Sequence, residues 1–445
     1  MRIGLIAMSG VRVRTEELAK LGVTLPGFVN RGKVIASLPS LGLLTVAALT
    51  PPDVEVEYIE YDVLPDEGEP LEHFDLVGLS SFTARIEATY KLADRFRSMG
   101  VPVVLGGLHV SLMPDEAQEH ADAIVVNGAE GAWPQLVEDF KAGGMKPRYH
   151  GLRKDVFKPD NYVKPRFDLL EGRPYNRVTV QTSRGCPINC EFCAASLRIT
   201  SSFQQKPVPL VIDELRAATE AFESPFVEFA DDNTFVNKKW GKELMREMAP
   251  LNLRWFTESD ISVADDPELI DLMAEAGCKQ ILIGLESPSQ RGLMDLDPHN
   301  WKAKRFDKYL DAISRLQAAG ITVNGTFVLG LDSHTTSVFT ELHDFIRASN
   351  LLEVQLTVQT PFPGTPLYDR LKRDGRLLTE RYWDRCTLFD VNYRPARMSV
   401  EELEEGFVWL ASKVYSDDDF NRRKRHFMDL SKARQFAHAD ALSGT

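Results

Sequence analysis

The chain has 445 residues, a formal net charge of −13, and ordinary apolar and charged fractions of 43% and 26%. That length holds two or three domains with their own cores, the acidic balance argues against a nucleic-acid partner, and no apolar run reaches the roughly 18 residues of a membrane span. Five cysteines, three of them clustered, make no disulfide framework, and Met1–Met8 is too short for a signal segment, so the expected compartment is the cytoplasm.

Residues 1–145 alternate short apolar runs with amphipathic stretches. Strands are expected at Arg2–Ala7, Val54–Ile59, Leu76–Ser80, Val101–Leu105 and Ala123–Val126, with a helix at Ile86–Met99. That alternation predicts an α/β domain, a Rossmann-like open parallel sheet covered by helices on both faces. Gly106-Gly107 and Asn127-Gly128-Ala129-Glu130-Gly131 directly follow strands, at the carboxyl ends where such sheets bind ligands. Neither is a full G-x-G-x-x-G. Residues 146–175, rich in Pro, Arg, Lys and Tyr without a period, read as a linker.

From 176 to 365 the alternation is more regular. Strands are expected near 177–183, 226–230, 253–258, 280–286, 322–329 and 353–359, with helices at Val208–Phe222, Lys238–Met248, Asp266–Ala276 and Lys304–Ala319. Six βα units fit a partial (β/α)6 barrel, whose chemistry sits on the loops after the strands. Just after the first strand comes Cys186-Pro-Ile-Asn-Cys190-Glu-Phe192-Cys193. Three thiolates at this spacing can hold one cubane iron–sulfur cluster and leave its fourth iron open. Cys278, at a helix-to-strand turn, reads as a small buried residue, and Cys386 stands alone among aromatics. Two scattered cysteines complete no second cluster. Residues 366–445 predict a small helical cap on the barrel. Its basic run Arg422-Arg423-Lys424-Arg425-His426 follows Asp417-Asp418-Asp419 and reads as a solvated helix or tail, with a polyanion contact as the alternative.

The cysteine motif on six βα units resembles the radical S-adenosylmethionine (SAM) superfamily. Val227-Glu228-Phe229-Ala230-Asp231-Asp232-Asn233 is similar to its second-strand motif, Ile283-Gly284-Leu285-Glu286-Ser287 to its fourth, and the stretch Asn324 to Gly330-Leu331 to its fifth. Pro361 to Tyr368 resembles a sixth-strand exit common in one subgroup, which carries an N-terminal cobalamin-binding-type domain. Pro39-Ser40-Leu41-Gly42-Leu43, the stretch Gly106 to Ala117 and Asn127-Gly128-Ala129-Glu130 resemble that domain.

The resemblance implies a [4Fe-4S] cluster on Cys186, Cys190 and Cys193, with SAM on its open iron. Phe192 would lie near the adenine, Glu228 and Asp231 near the methionine ammonium, and Gly284, Glu286 and Ser287 near ribose and carboxylate. Asn324 and Gly330 would lie on the adenine side. The carboxylates could instead cap helices, and Arg184 could brace the cluster loop. Gly106, Gly107 and His109 are the candidate cobalamin contacts. Residues 1–150 contain no Asp-x-His-x-x-Gly, and the nearest match, Asp332-Ser333-His334, lacks the glycine and reads as an ordinary loop. Cobalamin is therefore left open, and no catalytic residue is assigned. The implied activity is reductive SAM cleavage to modify a small organic substrate, foremost cobalamin-assisted methyl transfer to an unactivated centre in natural-product or lipid biosynthesis. Cobalamin-independent radical bond formation, or transfer of the 3-amino-3-carboxypropyl group, is the alternative, and a non-catalytic sensor is a third. The implied partner is an electron donor such as flavodoxin or ferredoxin.

Overall fold

A computed structural model describes residues 1–10, 16–20, 38–66, 69, 71–173, 175, 177–222 and 225–443. Residue 174 of the expected linker and residue 176, the first of the expected barrel, lie outside it.

The N-terminal sheet contains β1 (Arg2–Met8), β2 (Glu55–Tyr61), β3 (Leu76–Ser81), β4 (Val103–Gly106), β5 (Ala123–Val126) and β6 (Arg148–His150). All neighbours pair parallel, in the order β2-β1-β3-β4-β5-β6. The chain reverses direction across the sheet between β1 and β3, and ligands bind such sheets at the strand ends beside that point. The sixth strand was not expected, because Arg148-Tyr149-His150 is too short and too polar to stand out from the linker. Pairing with β5 makes it a strand.

The second sheet orders β7 (Arg177–Val180), β10 (Phe226–Phe229), β11 (Arg254–Ser259), β12 (Cys278–Glu286), β13 (Thr322–Leu329) and β14 (Glu353–Val358) consecutively, all parallel. Between β7 and β10 lies a short antiparallel pair, β8 (Ser183–Arg184) with β9 (Gln204–Gln205). Among the described residues β7 and β14 do not pair, so the sheet is an open, partial barrel. Its strands alternate. Val178, Val180, Val227, Phe229, Trp255, Ile281, Ile283, Val323, Phe327, Val354 and Leu356 belong to the hydrophobic core shared with the surrounding helices. The intervening positions Thr179, Glu228, Glu258, Gln280, Glu286, Asn324 and Gln355 therefore face the barrel interior. Each fully buried large apolar side chain on the outer face contributes roughly 1.5–3 kcal/mol, and the interior is left polar.

The C-terminal region has helices Pro366–Arg373, Val400–Val414 and Asp417–Ser443. A reciprocal capping box of Ser399 and Glu402 starts the second. That helix packs on the barrel helix Val338–Ser349, as expected. The segment before it behaves differently. Tyr382, Trp383 and Cys386 join Tyr90, Phe96 and Val110 in the core of the N-terminal sheet, so the C-terminal region spans both sheets and is more than a barrel cap.

Candidate active site

The cysteine loop is built by its neighbours. Gly185 takes φ +91°, and a Cβ there would meet Thr200 at 2.9 Å, so the turn into Cys186 requires glycine. Its amide donates to Ser196 Oγ at 2.8 Å, and Ser196 Oγ donates to Asp232 Oδ2 at 2.7 Å. Arg198 ties the far side, donating to the carbonyls of Cys193 (2.7 Å) and Cys190 (2.8 Å) and to Asn189 Oδ1 (3.1 Å). Glu191 is held by Arg370 at 2.7 Å, which also reaches Asp332 at 2.5 Å. Asn233 Nδ2 lies 3.9 Å from Cys186 Sγ.

Burial raises all three thiols, Cys190 up to about 12. For Cys193 the charges of Asp232, Cys190 and Cys186 add to burial, so the three sulfurs stand within electrostatic reach of one another. Among the described residues no group of His, Cys, Asp and Glu is placed to hold a single metal ion. Three free thiols on one braced loop suit a larger object, one thiolate per iron, and uptake of a cluster would expel their protons.

The expected cofactor residues divide. Glu228 faces the interior but pairs with Arg177 at 3.1 Å. Asp231 does not face a ligand. Its carboxylate accepts from the Thr182 and Ser183 amides and from the Thr182 and Thr234 hydroxyls, at 2.5–2.9 Å. Those four bonds use its acceptor sites and clamp the end of β7 to the loop after β10. Glu286 lies at φ +64° beside a register shift in β12 and accepts from Lys302 Nζ at 2.7 Å. A Cβ on Gly284 would meet Glu286 Oε1 at 2.3 Å and Lys302 Nζ at 2.7 Å, so that glycine makes room for the ion pair. Ser287 is wholly buried and bonds His334 Nε2 at 3.1 Å, and burial pushes the His334 imidazole down to about 4. Ser287 thus braces the loop rather than facing a ligand, and the Asp332–His334 loop is an anchor rather than an ordinary loop. Gly330 accepts from Tyr393 of the C-terminal region at 2.5 Å, a turn contact. Phe192 packs partly buried against the main core.

Asn324 is buried, faces the interior, and its Oδ1 has no hydrogen-bond partner among the described residues. Thr179 Oγ1, Gln280 Nε2 and Gln355 Oε1 are buried on the same interior face without partners among the described residues. Orphaned polar atoms are costly, and a polar ligand such as SAM could supply partners to those it reaches.

On the N-terminal sheet, Gly107 takes φ +104° and a Cβ on Gly106 would touch nothing closer than 3.9 Å. His109 is enclosed by its neighbours. It is 1% exposed, with Nδ1 3.3 Å from Thr83 Oγ1, Nε2 3.3 Å from Glu116, and its ring edge-on to Trp383. The ring expected as a cobalamin contact is thus covered by the C-terminal segment. Phe82, just past β3, is 68% exposed at the strand ends. A Cβ on Gly107 would meet Ser80 Oγ at 2.8 Å, so the open backbone is at Gly106; with the exposed aromatic it fits a flat macrocycle held by shape. Arg184 joins the two sheets, bonding Glu130 after β5 at 3.0 Å and Gln181 at 3.0 Å.

Sequence reasoning missed Glu258, Lys302 and Arg198. Glu258 faces the chamber from β11, and its side chain has no hydrogen bond or ion pair among the described residues. Burial and the charges of Glu228, Asp232 and Asp231 push its carboxyl up to about 8. Its signal was the alternation Arg254, Phe256, Glu258 within one strand. For Lys302, burial alone would lower the ammonium, but the charges of Glu286 and Cys190 outweigh it and keep the group charged. No local pattern marks it.

Comparisons with known proteins match three stretches of the chain. Residues 180–346 match the radical SAM superfamily, residues 29–137 a B12 binding domain, and residues 365–443 a domain of unknown function. The chain is similar to bacteriochlorophyllide d C-12(1)-methyltransferase of Chlorobaculum tepidum, 28% identical over 406 residues covering 89% of this chain and 86% of that one. It is similar to hopanoid C-2 methylase of Rhodopseudomonas palustris, 27% identical over 358 residues, 78% of this chain and 66% of that one. In fold it resembles the methyltransferase TsrM from Kitasatospora setae with cobalamin and [4Fe-4S] cluster bound (TM-score 0.60, 16% identity, 84% and 78% covered). It also resembles the cobalamin-dependent radical enzyme OxsB with aqua-cobalamin and S-adenosylmethionine bound (TM-score 0.66, 14% identity, 98% and 71% covered).

Proposed function

We propose, on the premise that this chain belongs to the radical SAM superfamily and to its subgroup with an N-terminal B12-binding domain, that it is a cobalamin-assisted methyltransferase. Its substrate is a small organic molecule of natural-product or lipid biosynthesis, methylated at an unactivated centre. Relatives named as bacteriochlorophyllide and hopanoid methylases support this reading. The observation that carries it is the Glu130–Arg184 ion pair, which ties the strand ends of the B12-type sheet to the residue two before Cys186.

When bound, the cluster supplies the electron that cleaves SAM, and cobalamin carries the methyl group. The chain's own residues hold and shield. Cys186, Cys190 and Cys193 are the cluster thiolates, and Arg198, Ser196 and Arg370 fix their loop. Asn324, Gln280 and Thr179 offer hydrogen bonds to SAM in the chamber. Gly106 and Phe82 offer the corrinoid an open edge. An external one-electron donor, of the flavodoxin or ferredoxin kind, completes the scheme. No described helix is long and apolar enough to cross a membrane, and we place the reaction in the cytoplasm.

The test is mass spectrometry of products from anaerobically reconstituted, reduced protein given cobalamin and methyl-deuterated SAM. The reading expects 5′-deoxyadenosine together with S-adenosylhomocysteine, and their loss when any of Cys186, Cys190 or Cys193 becomes Ala. 5′-Methylthioadenosine above spontaneous breakdown would point to aminocarboxypropyl transfer instead. A triple Cys→Ala variant that still cleaved SAM reductively would sink the reading.

A further inference from the structure

The basic run near the C-terminus is more than a solvated helix face. Arg422 and Arg425, from the helix Asp417–Ser443, converge with Arg347 of the barrel helix Val338–Ser349 and Lys413 of the helix Val400–Val414 on one cleft of about 550 Å³. Its remaining walls are His343, Ser416, Asn421 and two acids, Asp418 and Asp419. Asp419 is committed, pairing with Arg422 at 3.0 Å and Arg423 at 3.4 Å, while Arg422 also bonds Asn350 at 2.7 Å. Arg347, Lys413 and Arg425 are exposed and make no hydrogen bond or ion pair among the described residues. Three uncommitted cations thus face one uncommitted acid, on a chain whose net charge is −13. Two of the same helices also carry exposed apolar side chains. Trp409 is 39% exposed with its ring edge-on to His343, and Met428, one turn beyond Arg425, is 47% exposed.

We propose that this cleft seats the anionic headgroups of a phospholipid surface, docking the protein at a membrane without spanning it. Cations attract the phosphates, and an amphipathic indole beside them suits the headgroup layer. A free phosphate would use the cations but leave Trp409 and Met428 in water, which is why a lipid surface is the assigned source. The acidic remainder of the chain is repelled by such a surface, so docking takes one orientation.

The test is sedimentation of the full-length protein with vesicles of phosphatidylcholine, alone or mixed with phosphatidylglycerol. Binding is expected to the anionic vesicles alone and to fall steeply with salt. The variant Arg347→Glu/Lys413→Glu/Arg425→Glu should bind about a hundredfold more weakly, with its unfolding midpoint unchanged because none of the three has a partner to lose. Trp409→Ala should weaken binding severalfold without altering the salt dependence. Equal binding to both vesicle types, or full binding by the triple variant, overturns the proposal. So does saturable binding of glycerol 3-phosphate with no vesicle binding, which would make the cleft a soluble-anion site.

Discussion

Glu258 shows what one side chain's surroundings decide. Unfolded, its carboxyl ionises near the ordinary 4.5, whereas in the chamber burial and the neighbouring charges of Glu228, Asp232 and Asp231 hold it near 8. The folded state then binds the extra proton between those values, so this group makes the protein less stable as pH rises from about 4.5 to 8. Glu258→Gln is expected to flatten that fall and to be the more stable protein at pH 8, by an amount on the order of 3 kcal/mol. Urea unfolding of both proteins at pH 5 and pH 8 checks it, and an unchanged fall in the variant would mean that Glu258 is not the protonated group. Sequence marked Glu228 and Asp231 but not Glu258, since all three are acidic residues at strand ends. Only the structure shows Glu228 paired with Arg177, Asp231 clamped by four donors, and Glu258 without a partner among the described residues.

At the scale of elements, β12 carries the clearest local constraint. Its regular alternation was legible, but the shift between Gly284 and Glu286 was not, because it depends on Lys302, which arrives from a loop sixteen residues on. Gly284→Ala would drive a methyl group into that ion pair and is expected to cost about 1–3 kcal/mol. Adding Lys302→Ala should recover part of the loss at this position. Thermal unfolding of the two single variants and the double variant measures the coupling. Additive losses would show that Gly284 is glycine for another reason. The strands of both sheets were otherwise found within a few residues, because period-two patterning and glycine punctuation are local signals. β6 escaped for the same reason in reverse, having three residues and no pattern.

At the scale of the whole molecule, the C-terminal segment clasps the N-terminal sheet. Trp383 donates to Glu116 at 3.0 Å, Tyr90 donates to it at 3.0 Å, and Arg381 pairs with Glu87. Burial alone would raise the Glu116 carboxyl, but hydrogen bonds from His109, Trp383 and Tyr90 prevail and hold it at about 2. A depressed carboxyl stabilises the fold above its unfolded value, near 4.5, and the contribution is lost as pH falls towards 2. Glu116→Gln is therefore expected to cost about 2 kcal/mol at neutral pH and nothing near pH 2. Acid titration followed by tryptophan fluorescence tests this, Trp383 being at the contact. A variant as stable as the parent at pH 7 would show that the clasp is held by apolar packing alone.

The sequence by itself determined the two parallel sheets, the cysteine loop and the resemblance to a superfamily, because strand alternation, glycine turns and a three-thiol spacing are written in neighbouring residues. Tertiary structure decided how each residue of a motif is buried and partnered. His109 packs against Trp383, 274 positions away, and Ser287 bonds His334, 47 away. Arg347, Lys413 and Arg425 became one cleft only when three helices packed. Burial, pairing and charge at a point in space depend on everything packed there, and residues distant in the chain supply most of it.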